Sequence, residues 1–89
     1  MYNITSYSKA KAKEYGVIIK PSANKNKKID VFKDNKKIAT IGAIRYKDYG
    51  IYLEEKGKDY ADKRRQLYKE RHKKDLNSGN GLWASRILW

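Results

Sequence analysis

The chain has 89 residues, with 22 Lys and Arg against 10 Asp and Glu, for a formal net charge of +12. That length gives one small basic domain over 1–89 with a small core, residues 1–15 being read as a loosely attached N-terminal helix. The absence of Cys and the single His exclude disulfides and Cys/His zinc sites within one chain, so neither metal nor cofactor is expected. No apolar run approaches the ~18 residues of a membrane helix, and residues 1–13 lack a signal-peptide apolar core. A soluble chain without a membrane partner, intracellular or inside a particle, is the expectation. Excess positive charge favours polyanions, nucleic acid first. The bland alternative is an incidental basic surface, since Lys belongs to a codon class that AT-rich genes inflate.

Ser6–Tyr15 predicts a short helix, capped by Ser6 or Ser8 and stopped by Gly16. Val17–Lys20 is a β-branched run ended by Pro21, hence a strand. Ser22–Lys28 reads as a polar, basic loop. Lys28–Lys33 and Lys36–Ala43 predict two strands joined at Asp34-Asn35, residues suited to a tight hairpin. Ile29 and Val31 should face the core with part of Ile38, Ala39 and Ile41. Asp48 caps a short helix over Tyr49–Lys56, which Gly57 closes. Asn77–Gly81 is a break, and Leu82–Trp89 is an apolar tail, helix or strand, that folds back or docks on another copy. The expected fold is α+β: a three-stranded antiparallel sheet packed with a short-plus-long helical hairpin and the C-terminal tail.

The long helix is expected over Tyr60–Asp75, with Asp59 and Asp62 spaced as a capping pair. Asp59/Lys63, Glu70/Lys74 and Arg71/Asp75 are i,i+4 pairs. At 100° per residue, Tyr60, Arg64, Leu67, Tyr68, Arg71 and Asp75 share one arc, where a core-facing helix would carry apolar residues. A guanidinium is rarely buried without a partner, so either these arginines pair internally or the face meets an anion. Arg71 with Asp75 one turn away, and Arg64 near the tyrosines, are assigned to an internal structural network.

Candidates for diffuse phosphate contact are Lys25, Lys27, Lys28, Lys36 and Lys37 along the hairpin, with Arg65, Lys69 and Lys73 on the long helix. Edge-strand protection explains the hairpin lysines equally well. Tyr46, Tyr49 and Tyr52 either stack on bases or line the core. Arg64, Arg65, Tyr68, Arg71 and His72 hold the ingredients of phosphodiester chemistry, but no acidic cluster stands beside them for a magnesium ion. No catalytic residue is assigned, and the expectation is a non-enzymatic protein. Leu82, Trp83, Ile87, Leu88 and Trp89 are the residues through which a homodimer or another protein would dock.

The pattern Lys28–Ala39, then Ile41-Gly42-Ala43 with Tyr46, Asp48 and Tyr49, resembles small, basic, uncharacterised proteins of large nucleocytoplasmic DNA viruses, the giant viruses of amoebae among them. The resemblance continues through Gly57, Tyr60-Ala61, Arg64-Arg65, Tyr68 and Arg71-His72 to Ile87-Leu88-Trp89, with Asn35 where the family pattern has Gly. It covers most of residues 15–89. It implies a viral accessory protein of the virion and of the viral factory in the host cytoplasm, and it supplies no activity or catalytic residue. The leading expectation is phosphate-mediated binding of nucleic acid, DNA in the first instance, with little sequence preference. A virion structural or interaction module, dimeric through its tail, is the alternative.

Overall fold

Thr5, not Ser6 or Ser8, starts the first helix. Its Oγ1 accepts a hydrogen bond from the Ser8 N–H, and α1 runs over Ser6–Tyr15. Gly16, in the left-handed conformation at φ 69°, ends it, and the Gly16 and Val17 amides close onto the carbonyls of Lys13 and Ala12. This is the start of a computed structural model that describes residues 2–89. Val17 is then buried, and β1 occupies Ile18–Pro21, one residue later than the sequence pattern places it.

Strands β2 (Lys27–Lys33) and β3 (Lys36–Ala43) follow, in an antiparallel sheet of order β1-β2-β3. Asp34 and Asn35 both take positive φ, 53° and 65°, as the two-residue hairpin turn requires. Ile29 and Val31 alternate into the core opposite Ile41 and Ala39. The register slips beside Val31 and Phe32, because Val31 faces Ala39 while Phe32 faces Lys37. Ile38 is the unpaired extra residue, and the bulge turns it out to 37% exposure. Gly42, at φ 79°, allows a close approach: a Cβ there would lie 2.7 Å from Leu88 Cδ1.

Helix α2 (Tyr49–Lys56) begins at Asp48 as expected, and Gly57 both ends it and precedes α3 (Lys58–Arg71). No side chain caps α3, because it starts two residues before Tyr60 and puts Asp59 inside its first turn. Asp62 is engaged instead by the Lys58 ammonium and the Tyr49 hydroxyl, each at 2.8 Å. The pairs Asp59/Lys63 and Glu70/Lys74 do not form; Lys58–Asp62 is the i,i+4 ion pair of this helix among the described residues.

The long helix stops at Arg71 and the chain tightens into a 3₁₀ turn over Lys73–Asp75. Helix α4 then spans Gly79–Ile87, so the expected break lies partly inside a helix. The physical reason is backbone packing: a Cβ on Gly81 would stand 1.9 Å from the Asp75 carbonyl oxygen, so only glycine lets α4 sit on that turn. Three-stranded antiparallel sheet and four helices make the fold α+β, as expected.

The tail folds back. Ile87 and Leu88 join Ala12, Val17, Ile29, Val31, Ala39 and Ile41 in one apolar cluster. A helix end leaves carbonyls without intrahelical partners, and here other elements supply donors. The Ser8 hydroxyl bonds the Ile87 carbonyl at 2.8 Å and the Tyr7 hydroxyl bonds that of Trp89 at 2.9 Å, while the Tyr49 amide bonds that of Leu88 at 3.0 Å. The N-terminal helix thus holds the C-terminal one. Ile87 and Leu88 are core residues, not docking residues, which corrects their assignment to an interface.

Candidate functional site

Asp48 joins three parts of the chain. Its Oδ2 accepts from Lys28 Nζ at 2.9 Å and from the Tyr2 hydroxyl at 2.5 Å, while Oδ1 caps α2 through the Ile51 N–H at 3.1 Å. The Lys28 and Asp48 side chains are 3% and 1% exposed. Lys28 therefore cannot contact a polyanion, and its place among the phosphate-binding lysines is withdrawn. β2 is the central strand and is covered on both faces, so a lysine within it must be paired. Burial first, then the Asp48 contact, raises the Tyr2 phenol far above its ordinary range.

Over this buried pair lies a cleft of about 430 Å³, bounded by the end of β3, α2, the inner face of α3 and α4. Its lining carries Arg64, Arg71 and His72, the rings of Tyr46, Tyr52, Tyr68 and Trp89, and no carboxylate residue. Trp89 stacks on Tyr68 with centroids 4.5 Å apart and planes 10° from parallel. The Arg64 guanidinium lies over the Tyr52 ring at 5.2 Å, and its Nε is buried without a hydrogen-bond partner. Two other lining cations are neutralised nearby, Lys28 by Asp48 and Lys47 by Glu55 at 2.7 Å.

The expected Arg64–Arg71–Asp75 network does not form. Arg71 is exposed, and no carboxylate lies within 4.0 Å of either arginine among the described residues. Because α3 ends at Arg71, the geometry that would bring Asp75 one turn beneath it is lost. Asp75 instead approaches His72 Nδ1 at 3.6 Å, and His72 packs on the Tyr68 ring at 4.5 Å. Burial, with the Asp75 charge adding to it, pushes the Tyr68 phenol up, so its hydroxyl stays protonated.

Arg65 is more interior than its sequence position implies. Its guanidinium sits 3.7 Å from the Tyr49 ring centre and donates to the Tyr7 hydroxyl at 3.2 Å. Arg65, Lys69 and Lys73 do come together along a second, shallower groove on α3, but Asp62 and Glu70 line it too. The hairpin lysines are divided. Lys36 and Lys37 flank the turn, with Lys37 near Asp30 at 3.9 Å, whereas Lys25 and Lys27 lie at the far end of β2. Roughly 20 Å of strand separates the two groups, at ~3.3 Å per residue. Edge protection is shared by a side chain: Asn80 Oδ1 accepts from the Thr40 N–H of edge strand β3 at 3.3 Å.

The three tyrosines also part company, Tyr49 in the core, Tyr52 half-buried, and Tyr46 64% exposed at the cleft. Trp83 packs edge-on to Tyr15 and Leu82 is half-buried. The part of Trp89 and of Tyr2 was missed by sequence reasoning; the mixture of Arg and Tyr on one arc of α3 was the available signal for the cleft. No helix among the described residues is long and apolar enough to cross a membrane, and no group of three or more His, Asp or Glu stands ready for a metal ion. Comparison with protein-family models, curated proteins and solved structures finds no match for this chain.

Proposed function

We propose that this is a non-enzymatic nucleic-acid-binding protein that engages phosphates with little sequence preference. The observation that carries the reading is the cleft: two arginines without carboxylate partners, on a lining that holds aromatic rings and no Asp or Glu. Arginine presents a planar fork to phosphate and stacks on rings, which is the combination this surface offers. Exposed Lys25, Lys36, Lys37, Lys69 and Lys73, elsewhere on the surface, add long-range diffuse attraction. Burial pushes the Tyr68 phenol up, the direction opposite to that of an activated nucleophile. The resemblance to proteins of large DNA viruses supplies a setting, an accessory protein in the virion or viral factory.

The test is anisotropy of labelled DNA and RNA, single- and double-stranded, across a salt series. With about five phosphates neutralised, single-strand affinity falls about a hundredfold between ~50 and ~200 mM salt. Absence of binding to every probe at low salt removes the proposal.

A further inference from the structure

We infer that the cleft receives an unpaired base, so that the protein prefers single strands to duplex. This deepens the nucleic-acid reading and rests on it. A base inside a duplex has both faces covered by its neighbours, and the helix presents only edges and phosphates. Stacking on a protein ring therefore requires an unpaired base. Tyr46 is 64% exposed beside the cleft, an aromatic side chain that the core does not use. Tyr68 and Trp89 already form a parallel stack along the lining, and Tyr52 with Arg64 forms a second flat surface. The volume, about 430 Å³, falls within the range of small-molecule sites and admits a base, not a double helix.

Charge completes the assignment. Arg64 is held by ring stacking and not by an acid, and Arg71 is exposed with no carboxylate within 4.0 Å among the described residues. A strand whose base stacks on this aromatic lining brings its own phosphate to the rim, where Arg71 stands. The groove along the other side of α3 lacks this combination, since Asp62 and Glu70 oppose its cations. Ring faces and unpaired guanidinium groups on one wall are what single-strand readers assemble.

The experiment uses the full chain carrying Trp83→Phe, leaving Trp89 as its only indole, with an oligothymidylate, a duplex of equal phosphate number and an abasic strand. At one salt concentration the oligothymidylate quenches Trp89 fluorescence and binds about fivefold to a hundredfold tighter than either control. Tyr46→Ala reduces that ratio, whereas Arg71→Gln weakens all three probes alike and lowers the salt slope by about one, with circular dichroism confirming the fold of both variants. Equal affinity for all three probes without quenching overturns the cleft assignment while leaving phosphate binding intact. No binding to any probe overturns both. Quenching by free thymidine monophosphate at lower concentration than by the strand overturns the polymer assignment and gives the cleft to a small nucleotide.

Discussion

Lys28 and Asp48 stand 20 positions apart in the chain and meet in its interior, with Tyr2 closing the same carboxylate oxygen. A buried pair contributes little net stability when intact, because desolvation offsets attraction, but removing one partner strands the other charge. Asp48→Ala also deletes the α2 cap. The expected loss is about 3–5 kcal/mol by urea denaturation, against a total of roughly 4–13 kcal/mol for a chain of this length. Lys28→Met with Asp48→Asn, which keeps a capping side chain, should restore most of it. A loss below about 1 kcal/mol for Asp48→Ala would mean that the pair is hydrated and not buried.

Tyr2 adds a pH dependence. Its phenol is raised in the folded state, so the folded chain holds that proton more tightly than the unfolded chain does. The contribution is complete below the ordinary value of 10.0 and is lost as pH climbs above it. Wild type should therefore lose stability above pH ~10 more steeply than Tyr2→Phe. Parallel curves for the two proteins would contradict the contact with Asp48. At this scale the sequence was legible for caps and turns and opaque for pairing. Asp48 before a helix and Asp34-Asn35 between strands act through atoms a few residues away. The Lys28 run looks like any basic loop until its strand is known to be central.

The elements followed their local chemistry closely. Gly16 and Gly57 end helices, Pro21 ends an edge strand, and β2 and β3 differ from their expected limits by one residue at most. What local pattern missed was the end of the long helix. No Gly or Pro interrupts 72–78, and the turn that follows the stop packs its Asp75 carbonyl against Gly81, a contact between elements. The tail shows the same dependence in reverse. Its helix-or-strand ambiguity is resolved by the donors of Tyr7, Ser8 and Tyr49 on its last carbonyls. Leu88, 1% exposed, fills the space that Gly42 leaves open. Leu88→Ala should cost about 2–5 kcal/mol. Removal of Leu82–Trp89 should abolish the cooperative thermal transition. A truncated chain that keeps its circular dichroism and melting would show that the tail is an appendage after all.

For the whole molecule, charge and topology act together. Five lysines are compensated by neighbouring carboxylates; the other lysines and all five arginines have none within 4.0 Å among the described residues. Net charge of +12 favours polyanions over polycations, and it is a property of composition alone. Composition, hydrophobic alternation and turn residues likewise dictate a small α+β domain, its hairpin and most helix limits, because those preferences act over a few residues. Which cations are spent inside and which remain for a partner depends on juxtaposition. Lys28 is consumed by Asp48 and Arg65 by Tyr7 and Tyr49, while Arg64 and Arg71 are left over a cleft once α3 stops short of Asp75. Electrostatic and stacking contacts are short in space but long in sequence, so they exist only after the chain has folded.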